Sequence, residues 1–281
     1  MKIIECPRDA MQGIKEFIPT DLKVKYINQL LKVGFDTIDF GSFVSPKAIP
    51  QMRDTEEVLE RLELKDTSSK LLAIIANTRG AEEESHHRQI DYLGFQMSVS
   101  ETFQQRNTNK SIGEAMQQLA EIQNICQKHG KTLVTYISMG FGNPYNDLWD
   151  VETVIRFVQE LDKLQVKIVS LSDTIGVATP ENISYLFSHL IPAFGQIEFG
   201  AHLHTTPTTW QEKVEAAYQA GCRRYDGALR GYGGCPMAKD ELVGNMPTEN
   251  LISYFENIGV NLNLNKAALQ AAMAESGAVF L

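Results

Sequence analysis

Eight short runs rich in β-branched and apolar residues recur along the 281 residues, each followed by a longer stretch of helical periodicity. The runs fall at 2–6, 37–41, 71–76, 92–98, 132–138, 167–171, 197–202 and 224–228. Between them the spacing predicts helices, as at 21–33, where Leu22, Tyr26, Ile27, Leu30 and Leu31 share one face. Thr20 is placed as the N-cap of that helix and Gly34 as its stop. Further helices are expected at 111–129, 151–164, 180–194, 208–220 and 248–258, with a short, very polar one at 81–89. Residues after 261 read as an added helix. Strands alternating with helices, with no Pro- or Ser-rich linker, demand a parallel sheet. Eight such units, in a chain near the roughly 250 residues typical of the architecture, predict a (β/α)8 TIM barrel. The whole of 1–281 is expected to form this single domain, with a doubly wound open sheet as the alternative.

Composition removes several function classes. A formal charge of -9 and a pI of about 5.2 argue against nucleic acid or an anionic membrane as the main partner. No apolar run reaches the roughly 18 residues that a membrane-crossing helix needs. The N-terminus runs straight into a strand, with no apolar leader. Cys6, Cys126, Cys222 and Cys235 form no CxxC pair and no disulfide-like spacing. A cytoplasmic, reduced protein is the expectation.

A barrel predicts where to look, because such enzymes keep their sites at the C-terminal ends of the strands. The seventh run closes on His202-Leu203-His204, and residues two apart on a strand point the same way. Two imidazoles side by side suit a metal ion, though a hydrogen-bonded histidine pair has the same spacing. After the first strand come Arg8, Asp9 and Gln12, and after the second an apolar loop containing Ser42 and Lys47. Asp39 opens the stretch that leads from that second strand into the loop, and Asp173 with Thr174 follows the sixth. After the eighth comes a glycine-rich stretch leading to Cys235, whose free thiol, of pKa about 8.5, can give up a proton. The other four histidines, His86, His87, His129 and His189, fall in helices or charged loops and read as surface groups.

Taken together, these segments resemble the 3-hydroxy-3-methylglutaryl-CoA lyases, metal-dependent lyase and aldolase barrels with an Arg-Asp motif. The resemblance runs from Pro7 to Asn261. It is carried most specifically by Ser42-Phe43-Val44-Ser45-Pro46-Lys47, Gly233-Gly234-Cys235-Pro236 and Gly244-Asn245. Ser172-Asp173-Thr174-Ile175-Gly176 agrees, as does Ser100-Glu101 with Phe103, Asn107, Asn109 and Ser111. The resemblance implies a divalent cation, Mg²⁺ or Mn²⁺, on Asp9, His202, His204 and Asn245. It implies an acyl-CoA substrate cleaved to acetoacetate and acetyl-CoA. Arg8 would stabilise the charge on the thioester oxygen, Cys235 would protonate the leaving carbon, and His202 would shuttle a proton. Asp39 would support the site, with Gln12, Ser42, Asp173 and Thr174 toward substrate and Lys15 and Lys47 toward CoA. A homodimer is expected from the resemblance alone.

Three residues depart from the family pattern. Asp39 stands where the family has Glu, Ala10 where it has Gly, and Thr205 where it has Asp. Asn143 also replaces a cysteine. The departures keep open a related aldolase, a Claisen-condensing synthase, or an impaired homologue that still binds metal or acyl-CoA. A binuclear hydrolase is the remaining competitor, weakened by the late position of the His-x-His pair.

Overall fold

The computed structural model describes residues 1–234 and 243–280. Strands β1 (Lys2–Glu5), β2 (Thr37–Ser42), β3 (Lys70–Ile74) and β4 (Tyr92–Ser98) are followed by β5 (Thr132–Ser138), β6 (Ile168–Asp173), β7 (Glu198–Thr205) and β8 (Arg224–Gly227). Each pairs in parallel with the next, and β8 pairs back onto β1 through Lys2 opposite Arg224 and Glu5 opposite Gly227. The ring is closed, which excludes the open sheet and bears out the TIM barrel. A ninth strand, β9 (Gly244–Asn245), pairs antiparallel with the end of β7.

The helices are α1 (Pro7–Gln12), α2 (Thr20–Leu31), α3 (Thr55–Glu60), α4 (Thr78–Glu84), α5 (Glu101–Thr108) and α6 (Ile112–His129). They continue with α7 (Val151–Lys163), α8 (Pro180–Ala193), α9 (Trp210–Gln219), α10 (Thr248–Asn257) and the added α11 (Lys266–Phe280). Sequence periodicity explains how they pack. On α7, Val154, Phe157, Val158 and Leu161 recur at helical spacing and are all buried. Each contributes roughly 1.5–3 kcal/mol by leaving water. Inside the barrel, Leu72, Ile74, Tyr92, Val134, Tyr136 and Ile168 form a separate small core.

Local details differ from the sequence reading. Thr20 is the first residue of α2, not its cap, and its hydroxyl donates to Asp54 Oδ2 at 2.8 Å. The short polar helix lies at α4, earlier than 81–89, because the Asn77 side chain caps it by accepting the Gly80 N–H. Helices α1, α3 and α5 sit in segments where the sequence reading named no helix, and none exceeds eight residues.

One buried carboxyl ties the barrel's first strand to its last turn. Glu5 accepts the Leu229 N–H at 2.8 Å and the Thr248 hydroxyl at 2.6 Å. Burial raises its pKa to about 8 in spite of those donors. A proton is therefore held more tightly in the folded chain than in the unfolded one, where glutamate titrates near 4.3. The stability this group contributes is complete below about pH 4 and is lost as pH rises toward about 8. Glu5→Gln should remove that loss. Melting temperatures measured from pH 5 to 8 should show the variant gaining steadily on the parent, whereas a constant offset would contradict the assignment.

Candidate active site

Pro7 opens α1 directly after β1, where its fixed φ suits a first helical turn and its missing N–H costs nothing. This short helix puts Arg8 and Gln12 one turn apart, with Arg8 Nη1 donating to Gln12 Oε1 at 2.9 Å. Arg8 Nη1 also donates to Asp9 Oδ1 at 2.8 Å. Its Nε reaches both oxygens of Asp39 on β2, at 3.2 and 3.1 Å, and Nη2 donates to Asp39 Oδ2 at 2.5 Å. A guanidinium carries five N–H groups. These bonds engage four, leaving one on Nη2 without a partner among the described residues.

The departures at Asp39 and Ala10 are accommodated. Asp39 meets Arg8 directly in spite of its shorter arm. Ala10 lies within α1 and bonds back to the Cys6 carbonyl at 3.1 Å, so no left-handed angle is needed there. Thr205 is buried at the end of β7, opposite Gly244, and is not among the pocket-lining residues. Asn143 organises its own loop, accepting the N–H groups of Tyr145 and Asp147.

His202 and His204 point into the barrel mouth from alternate positions of β7, with ring centroids 5.4 Å apart. His204 Nδ1 faces the Thr174 carbonyl at 2.9 Å, so Nδ1 carries the hydrogen and Nε2 is a bare acceptor. That Nε2 is buried and has no hydrogen-bond partner among the described residues. His202 Nδ1 meets Asp226 Oδ2 of β8 at 3.1 Å. Asp9, His202 and His204 each offer a ligand atom within 4.8 Å of the others. Strand β9 sets Asn245 opposite His204, and Asn245 Nδ2 donates to Asp9 Oδ2 and to the Tyr232 carbonyl, each at 2.8 Å. With Nδ2 so committed, Oδ1 is the atom this amide has to offer a cation. Gly233 permits the close approach: a Cβ there would lie 2.7 Å from the Asp9 carbonyl and 2.8 Å from Asn245 Nδ2.

The electrostatics ready Asp9 and His204 as ligands, while a cation must compete with a proton for His202. Burial works against the Asp9 carboxylate, but Arg8, His202 and His204 outweigh it and hold its pKa at about 2. Burial and the neighbouring His202 bring His204 down to about 4, so it is neutral at physiological pH. Burial opposes charge on His202 as well, yet Asp226 prevails and raises it above the ordinary histidine value. Asp39 is pushed up by burial to about 6 against the pull of Arg8, which leaves the ion pair charged at neutral pH.

Arg8, Asp9, Gln12, His202 and His204 line a pocket of about 690 Å³ with Gln96, Tyr136 and Ser172, whereas Asp39, Asp226 and Asn245 are buried and do not line it. A wider cleft of about 1420 Å³ adjoins it, and Arg8, Gln12, Gln96 and Asn107 line both. Of the other residues singled out from sequence, Thr174 lines the inner pocket, its hydroxyl accepting the Met139 N–H at 2.8 Å. Asp173 does not line either space: it is buried against the Lys213 ammonium at 2.6 Å and accepts the Ala178 N–H. Ser42 is buried too, its hydroxyl accepting the Val44 N–H at 3.3 Å. Lys15 and Lys47 are exposed and line neither space. Cys235 lies outside the described residues, although its neighbour Gly234 lines the inner pocket. Sequence reasoning missed Asp226, Tyr136, Gln96 and Lys213. Strand alternation from Arg224 would have turned Asp226 inward.

Comparison with known proteins places this geometry in context. Residues 2–274 match the model of the family described as HMGL-like. The hydroxymethylglutaryl-CoA lyase YngG of Bacillus subtilis is 33% identical over 95% of this chain and 88% of its own. The mitochondrial hydroxymethylglutaryl-CoA lyase of Mus musculus is 30% identical over 97% and 83% respectively. The solved HMG-CoA lyase of Acinetobacter baumannii, in complex with coenzyme A and 3-methylmalate, superposes with a TM-score of 0.91. It is 31% identical, and the match covers 100% of this chain and 91% of that one.

Asp226 is the residue whose removal tests the arrangement. Asp226→Asn should lower the His202 pKa, read by NMR titration of the imidazole in metal-free protein, and weaken Mn²⁺ binding about 10–100-fold. An unchanged titration would show that Asp226 does not hold the ring.

Proposed function

The chain belongs to the HMGL-like family, and on that premise we propose that it cleaves 3-hydroxy-3-methylglutaryl-CoA to acetoacetate and acetyl-CoA. One observation carries the reading: the buried Nε2 of His204, without a partner among the described residues, belongs to a cluster shared with Asp9 and His202, in the pocket that Arg8 also lines. Asp9, His202, His204 and Asn245 would hold a divalent cation. Two oxygen and two imidazole donors suit Mg²⁺ or Mn²⁺ with open positions for substrate oxygens. When bound, the cation supplies polarisation of those oxygens and eases loss of the tertiary hydroxyl proton.

The protein groups account for the rest. Loss of the hydroxyl proton turns the carbinol into the ketone of acetoacetate, and the electrons of the broken carbon–carbon bond pass to the enolate of acetyl-CoA. Arg8 receives the negative charge that develops on the thioester oxygen. Losing one such donor typically costs about 3 kcal/mol. Asp39 and Gln12 hold Arg8 in place so that no reorganisation is needed as the charge appears. Asp226 holds the Nδ1 side of His202, so Nε2 alone faces the site; we assign it to the cation, with relay of the hydroxyl proton as the alternative use of that one atom. The Cys235 thiol donates the proton that quenches the enolate carbon. Thr174 fixes His204, and Asp173 acts one step back by anchoring Lys213, which also donates to the His204 carbonyl at 2.9 Å. Ser42 shapes the loop through its bond to Val44.

The outer cleft suits the CoA arm. Val44, Ala48 and Ile49 give it an apolar wall, and Arg106 with Lys110 supplies cations for phosphate. Lys47 adjoins that wall through Ala48, and Lys15 is exposed three residues beyond the end of α1. Cytoplasmic residence and a homodimer complete the reading. Free, buried Cys6, Cys126 and Cys222 agree with a reducing compartment. Among the described residues no helix is long and apolar enough to cross a membrane.

Two assays test this. Acetoacetate should be released from 3-hydroxy-3-methylglutaryl-CoA, with no pyruvate from 4-hydroxy-2-oxo acids; pyruvate release alone would overturn the proposal. Arg8→Gln should lower kcat about 100- to 1000-fold. Cys235→Ala should lose most turnover while keeping its metal content, and full activity in that variant would remove the thiol from the mechanism.

A further inference from the structure

A second cluster of metal-binding side chains lies away from the mouth. Glu82 is on α4, His86 follows one turn later, and His129 is the last residue of α6. Both helices run back along the barrel, so their C-terminal ends lie where β4 and β5 begin. His86 Nδ1 is 2.7 Å from the Glu82 carbonyl, and His129 Nε2 is 3.3 Å from Glu82 Oε1. The two imidazole centroids are 4.9 Å apart. One ligand atom from each of the three residues lies within 4.8 Å of the other two.

Each feature favours a cation. The carbonyl end of a helix carries partial negative charge, and here two such ends meet, one of them closing an 18-residue helix. A histidine whose Nδ1–H donates to a backbone carbonyl presents Nε2 as a ligand, the arrangement found behind metal-bound imidazoles. Two donors on a tetrahedral ion with bonds of about 2.0–2.1 Å stand roughly 3.3 Å apart. His129 and Glu82 already have that spacing, and His86 needs only a small shift to bring its ligand atom in from within 4.8 Å. Two lysines oppose the ion. Lys128 Nζ sits 3.3 Å from Glu82 Oε1 but is 67% exposed, so it can swing into water. Lys131 is occupied with the His87 and Ile90 carbonyls, each at 2.7 Å.

We propose that Glu82, His86 and His129 form a second metal site, separate from the mouth, for a borderline first-row divalent cation of the zinc type. Imidazoles make up two of its three protein donors, against two of four at the mouth, and that nitrogen-rich set favours such an ion over Mg²⁺ or Ca²⁺. With one carboxylate they leave the fourth position to water, and the bound ion clips α4 to α6 on the face where barrels place stability rather than chemistry. The inference does not rest on the lyase reading.

Equilibrium dialysis of the full chain against Zn²⁺, followed by elemental analysis, tests it. The His86→Ala/His129→Ala variant should bind one Zn²⁺ per chain fewer than the parent, whatever the mouth itself takes up. Glu82→Gln provides a milder second variant and should weaken the same equivalent. The parent's melting temperature should rise with Zn²⁺ more than that of either variant, while lyase turnover with Mg²⁺ stays unchanged in both. Equal stoichiometry in parent and double variant, or an equal thermal response, would overturn the proposal.

Discussion

A single guanidinium, shut away from water, holds the mouth of this barrel together. Arg8 bridges Asp39 on β2 and Asp9 on its own helix, and all three side chains are buried. Burying each ion costs several kcal/mol, which only close geometry and further hydrogen bonds can offset. The forked contact with Asp39 and the bond to Gln12 supply both. Removing the cation would strand two carboxylates near a third, Asp226, a loss on the order of 3–5 kcal/mol. Even with Arg8 present, Asp9 and Asp39 outnumber it, and Asp226 adds a third carboxylate that the buried Arg224 also faces. Asp226 meets part of that excess by charging His202 more readily. A divalent cation on Asp9 and the two histidines would displace that proton and meet the whole excess itself.

The backbone makes this concentration of charge possible. Pro7 starts a helix at once after β1, so that Arg8 and Asp9 leave the strand pointing into the mouth. Two-residue β9 then carries Asn245 back across the end of β7. Behind it, α11 supports the same corner: Phe280 stacks on Tyr232 at 4.5 Å, and Arg230 donates to the Met273 carbonyl at 3.0 Å. The added helix thus braces the segment whose Tyr232 carbonyl orients the Asn245 amide.

The barrel was legible because its alternation is a property of the chain itself, repeated eight times. The His202–His204 pair was legible for a similar reason, since strand period alone sets both rings on one face. Partners distant in sequence were not. Asp173 has the composition of a ligand-binding residue, and only the arrival of Lys213 from α9 shows that it is an internal anchor. Asp226 reads as an ordinary strand carboxylate until the pairing of β7 with β8 sets it under His202. Ser100 and Ser111, which strengthen the resemblance, are helix caps: the first accepts the Phe103 N–H and the second closes a capping box with Glu114. Their effect on the site is indirect, through the placing of Phe103 and Asn107 on α5.

Crystals soaked in Mn²⁺ and measured at the manganese edge test the central claim, that excess buried carboxylate charge at the mouth is matched by one bound cation. A single anomalous peak should appear about 2.0–2.2 Å from donor atoms of Asp9, His202, His204 and Asn245, with Arg8 still bridging Asp9 and Asp39. A soaked crystal with no peak there, or with the two imidazoles turned away from Asp9, would contradict it.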